Sequence, residues 1–164
     1  MAMKPDMWEV IEKLTGRVPA VTFLWEFQAL VERFLEREYK NVSEAERKDV
    51  AARIVDMYPI QKFMDDPCVE DIMINALNPI FVYDSRKGMI KTDERFESFE
   101  ELEGFMRKLL LFSGKGELSR INDLHIPGGA RANVVFSPFG PQITIRRFTQ
   151  VPPSIIDLVE WGTL

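Results

Sequence analysis

The stretch Ile126–Phe148 constrains this chain more than any other. Two runs of strand-like alternation, Ala130–Ser137 and Gln142–Phe148, flank a Pro138-Phe139-Gly140-Pro141 connection. Pro and Gly supply the dihedrals of a reversal, so the segment predicts a β-hairpin. Successive strand side chains point to opposite faces. Ala132, Val134 and Phe136 share one face of the first strand, and Ile143 and Ile145 share one face of the second. Arg131, Asn133, Val135 and Ser137, with Gln142, Thr144 and Arg146, take the opposite faces. One side of the hairpin must therefore lie on a core, while the other carries two guanidinium groups. Arg147 points away from Arg146 if the strand is regular.

The elements before the hairpin tell what that core is made of. Met7–Leu14 reads as a short helix and Ala20–Tyr39 as a longer one, with Phe23, Phe27, Leu30, Val31, Phe34 and Leu35 recurring at spacings of three and four. Ser43 and Glu46 form a capping box for a helix running to about Met57. This amphipathic first third reads as a packed helical unit, or as a unit whose surface docks a partner. Asp65-Asp66-Pro67 predicts a turn or a helix start. Glu70–Asn75, Ile80–Tyr83 and Met89–Thr92 follow as three short strands with tight turns, an antiparallel meander. Ser98 and Glu101 open a helix that carries Phe99, Leu102, Phe105, Met106, Leu109 and Leu110 and ends near Gly114. Lys115–Asp123 reads as a polar loop. After the hairpin, Val151-Pro152-Pro153 breaks the strand, and Ser154 caps a short helix over Ile155–Glu160.

A chain of 164 residues with 46% apolar content can build one core. The net charge of −5 argues against nucleic acid as the main partner, because phosphate neutralisation needs clustered cations. The single cysteine, Cys68, excludes an internal disulfide. Neither a signal peptide nor an apolar run long enough to cross a bilayer is visible, so the expectation is a cytoplasmic domain.

Few residues could carry chemistry. His125 stands alone as the one histidine, and no metal-ligand spacing surrounds it. Asp65, Asp66, Glu70 and Asp71 cluster without calcium-loop spacing and read as turn caps. Gly128-Gly129 precedes a strand and lacks the Lys-Ser/Thr pair of a phosphate loop. The arginines remain, with two readings. Exposed strand arginines commonly form surface ion pairs or cover apolar area. Alternatively, cross-strand arginines converge on one anion, because the guanidinium fork matches phosphate geometry.

Three stretches resemble the N-terminal region of type II/type IV secretion-system ATPases, the superfamily that also drives pili and archaeal flagella. They are Asp66-Pro67-Cys68-Val69-Glu70-Asp71-Ile72-Met73-Ile74-Asn75, Ile126-Pro127-Gly128-Gly129-Ala130-Arg131-Ala132-Asn133-Val134-Val135 and Ile143-Thr144-Ile145-Arg146-Arg147-Phe148. Ala76 stands where the family commonly has Gly. The resemblance covers about Phe63–Leu164 and leaves the helical first third unmatched.

The resemblance implies an α+β fold, a PAS-like antiparallel sheet with packed helices, at 61–150. A helical N-terminal subdomain at 1–60 would precede it, and a linker at 151–164 would lead into a RecA-like motor domain. It implies a hexamer whose neighbouring subunits and motor domain are partners, together with a membrane-platform secretion protein at the cytoplasmic face of the membrane. Arg131 and Arg146 fall on the family's arginine positions, which reach the terminal phosphate of ATP, and Arg147 is a further candidate. ATP and Mg2+ would be cofactors of the full-length protein alone. No Gly-x-x-x-x-Gly-Lys-Ser/Thr occurs, so this chain is expected to hydrolyse no ATP and to bind none firmly by itself. The expectation is a domain excised from a longer protein, with a natural short protein as the alternative. The competing functions are a non-catalytic module docking to the secretion platform and, last, a small-ligand sensor.

Overall fold

A computed structural model describes residues 6–21, 23–148 and 154–162. Helix α1 spans Met7–Leu14, α2 Leu24–Glu38, α3 Glu44–Val55, α4 Gln61–Asp65, α5 Phe99–Phe112 and α6 Ile155–Glu160. Side-chain caps open three of them. The Asp6 carboxylate accepts from the Glu9 N–H, and the Ser98 hydroxyl accepts from the Glu101 N–H at 3.1 Å. Ser43 and Glu46 satisfy each other's backbone N–H groups, the reciprocal arrangement predicted for α3. At α5 the reciprocity is broken, because the Glu101 carboxylate accepts from Glu97 N–H at 2.8 Å instead.

Helix α2 begins at Leu24, four residues after the predicted Ala20. The residues before it pack against the end of α5: a Cβ added to Gly114 would lie 2.7 Å from the Ala20 nitrogen. That close backbone approach seats residues 18–20 on the end of α5. The Val151-Pro152-Pro153 break and the chain end at Thr163-Leu164 lie outside the described residues.

Six strands form one antiparallel sheet: β1 Val69–Asn75, β2 Phe81–Asp84, β3 Gly88–Lys91, β4 Ile121–Ile126, β5 Ala130–Ser137 and β6 Gly140–Arg147. Their spatial order is β3-β2-β1-β6-β5-β4, and the sheet stays open. The meander and the hairpin are as predicted, with the hairpin loop tightened so that Ser137 pairs with Gly140. The predicted loop at 115–123 is corrected: its last residues begin β4. Asn122 lies inside this strand and is buried, with its amide bonded to Ser119 and to the Val134 carbonyl. A bulge in β1 between Val69 and Asp71 lets Val69 and Ile72 both point inward.

One face of the sheet is dry. Ile72, Ile74, Val82, Leu124, Ala132, Val134, Ile143 and Ile145 are buried there, in one cluster with residues of α1, α2, α3 and α5. Phe27 of α2 meets Phe112 of α5 edge-on at 5.0 Å. Lys108 of α5 donates to the carbonyls of Arg53 and Asp56 at the end of α3, both at 2.8 Å. Burial holds its pKa below the ordinary lysine value. The opposite face of the sheet is covered by no helix among the described residues.

Candidate functional site: a charged row on the open sheet face

Strand alternation puts every second residue of β1, β4, β5 and β6 on the open face, and register aligns them into rows. One row reads His125, Arg131, Arg146, Asp71 across β4, β5, β6 and β1. Arg131 and Arg146 are thus directly opposed on adjacent strands. Like charges so placed destabilise a sheet, so their neighbours matter.

Two aspartates flank the pair. Asp123 accepts from Arg131 Nη2 at 2.6 Å. Asp71 accepts from Arg146 Nε at 2.8 Å and from Nη2 at 3.3 Å, a two-pronged contact. The hydrogen bonds that Arg146 donates to Asp71, and then the Asp71 charge, raise the Arg146 pKa further, so this group stays cationic. The row is close to neutral at rest. Arg146 nevertheless keeps 69% of its side chain exposed, against 20% for Asp71. Its Nη1, and Nε and Nη1 of Arg131, bond to no described side chain. A phosphate could use these donors, or replace the carboxylates outright. Either route needs close approach, because a neutral row attracts anions weakly over distance.

Arg147 has a different position. It faces the opposite side, where Nη1 donates to the carbonyls of Phe63, Asp66 and Val69. It fastens the end of α4 to the start of β1. The acidic cluster divides as well: the Asp66 carboxylate caps the turn by accepting from Cys68 N–H at 2.9 Å, whereas Asp71 belongs to the arginine row. His125 is exposed at the sheet edge beside Arg131. Sequence reasoning found both arginines and missed both aspartates. Asp123 lies in β4, within the segment predicted as a polar loop, so no alternation signal pointed to it.

The fold and the row together define a one-sided α+β domain that presents an arginine pair. No protein-family model matches the chain. It is 35% identical over 104 residues, 60% of its length, to the uncharacterized protein MJ0900 of Methanocaldococcus jannaschii, and 28% identical over 107 residues to MJ0781 of the same organism. The chain spans 19% and 15% of the lengths of these two relatives. Among solved structures it resembles the VirB11 ATPase of the Brucella suis type IV secretion system, crystallised with sulphate. The TM-score is 0.53 at 16% identity, over 84% of this chain and 36% of that one. At that identity the likeness is one of fold. No helix among the described residues is long and apolar enough to cross a membrane.

Proposed function

We propose that this chain is the N-terminal, nucleotide-sensing part of a hexameric secretion or pilus-assembly ATPase. In this reading residues 1–60 form a helical subdomain and 61–150 a PAS-like domain, and a separate motor domain holds ATP and Mg2+. Arg131 and Arg146 contact the terminal phosphate when the motor domain, of the same or a neighbouring subunit, closes on the open sheet face. The carrying observation is the direct opposition of two arginines on an uncovered sheet face, each held by an aspartate. The fold likeness to a secretion ATPase and the small share of the relatives' length covered by this chain support the reading.

In mechanism, approach of the phosphate exchanges carboxylate oxygens for phosphoryl oxygens at the guanidinium groups. Asp71 and Asp123 keep the arginines extended and mutually tolerable until then. A positive group beside the transferring phosphoryl stabilises developing charge. An arginine finger contributes roughly 10³–10⁵ in rate. A smaller loss is expected here, where closure and positioning share the role. The test is ATP turnover of full-length Arg131→Ala and Arg146→Ala, with melting of this domain measured alongside. A large loss of turnover with domain stability changed by about 0–1 kcal/mol is expected. Normal turnover in both variants would end the proposal and leave two surface ion pairs.

A further inference from the structure

We propose that the groove beside α2 is the docking site for an acidic amphipathic helix of a partner protein. The proposal is independent of the nucleotide reading, since the groove and the arginine row share no residue. The groove, of about 1030 Å³, has α2 as one wall and the end of α1 with the α1–α2 connection as the other. The sequence explains why it is there. The apolar stripe of α2 is wider than the core can cover: Phe27, Val31 and Leu35 are fully buried, while Leu30 and Phe34 are only half-buried and line the groove.

The shape fits a helix. Trp25, Ala29, Arg33 and Arg37 recur every four residues along α2, forming a ridge beside the one made by Leu30 and Phe34. Rows of this spacing are what a second helix packs against, and small Ala29 at the middle permits close approach. Trp25 is 68% exposed at the mouth and stacks on exposed Phe23, with centroids 6.2 Å apart. Tryptophan and arginine are the side chains most enriched where binding energy concentrates.

The charge sets the partner's sign. Four basic side chains line the groove, Lys13, Arg17, Arg33 and Arg37, against two acidic ones, Glu26 and Glu38. Glu38 is taken up by Arg37, and Lys13 by Glu9. Arg17 and Arg33 have no acidic partner among the described residues. A chain of net charge −5 thus keeps a cationic, apolar trough on one helix. An occupant must supply apolar side chains to Leu30 and Phe34 and carboxylates to Arg17 and Arg33. An acidic helix with one apolar stripe does both. The concavity favours such a segment over a flat lipid surface.

The test uses the whole chain and a fluorescein-labelled helical peptide with leucines at i, i+3, i+4 and i+7 between glutamates. The control is the same peptide with lysines for glutamates. The acidic peptide is expected to bind about tenfold or more tighter than its counterpart, with the indole resonance of Trp25 shifting on titration. Trp25→Ala and Arg33→Glu should each weaken binding by about tenfold, as for central interface residues, without changing the melting temperature. Lys91→Glu, on the sheet, controls for net charge and should leave binding unaltered. Equal affinity for both peptides, absence of binding, or binding that both variants retain would overturn the proposal. So would co-sedimentation with anionic phosphatidylserine vesicles that Trp25→Ala abolishes while peptide binding persists, which would assign the surface to lipid. Self-association of the chain abolished by Trp25→Ala would likewise overturn it in favour of a second copy.

Discussion

Replacing Arg147 by alanine separates the three arginines of this region most sharply. The guanidinium is partly buried and holds three backbone carbonyls, those of Phe63, Asp66 and Val69. A hydrogen bond from a charged donor contributes about 1.5–3 kcal/mol. The contacts to Asp66 and Val69 count in full, while the 3.4 Å contact to Phe63 counts little. Water can reach part of what is left behind, which reduces the sum to about 2–4 kcal/mol. For a chain of this size that corresponds to a melting temperature lower by about 5–15 °C. Urea unfolding of Arg147→Ala beside Arg131→Ala measures the contrast, since the exposed Arg131–Asp123 pair should contribute about 0–1 kcal/mol. Arg147→Lys should recover only part of the loss, because one ammonium cannot span the same carbonyls. A loss below about 1 kcal/mol for Arg147→Ala, or one no greater than that of Arg131→Ala, would refute the assignment of Arg147 to the fold.

Two further outcomes are expected. Leu109→Ala, at a fully buried site on α5, should cost about 2–5 kcal/mol in chemical unfolding; a loss under about 1 kcal/mol would place this stripe outside the core. Asp84 should govern part of the acid sensitivity. Its carboxylate accepts from the backbone N–H groups of Arg86 and Lys87, and those bonds, with the Arg86 side chain, lower its pKa. A depressed carboxylate contributes stability above its unfolded pKa, near 4, and loses it as pH falls through the lower folded value. Asp84→Asn should therefore narrow its stability gap to wild type as pH is lowered below about 4, and a gap independent of pH would contradict the linkage.

The hairpin was legible because its two determinants are local: alternation assigns the faces, and Pro and Gly assign the reversal. The same reasoning put Arg131 and Arg146 together and Arg147 apart. Strand β4 was not legible, because an inward-facing Asn122 interrupts its apolar alternation, and only a tertiary partner, the Val134 carbonyl, makes that residue tolerable inside. Helix α4 is too short for periodicity to show. The pairing of Asp71 with Arg146 joins residues 75 positions apart and depends on the register between β1 and β6. Nothing local in either segment encodes it. The groove beside α2 was half visible: the broad apolar stripe is in the sequence, but how much of it the core covers is decided by where α1 and α3 lie.

Arg146 and Arg147 are consecutive on β6, a strand bounded on both sides by paired neighbours. Sliding β6 to extend the reach of Arg146 would pull Arg147 off its carbonyls and break two ladders at once. The Cα of Arg146 is therefore a fixed post, and its working radius is the length of one side chain, about 6–7 Å on standard covalent geometry. An anion bound to Arg146 must therefore come within that radius, since the strand cannot move out to meet it. Under the proposed nucleotide reading, the sheet then acts as a gauge of how far a phosphate-carrying body has approached.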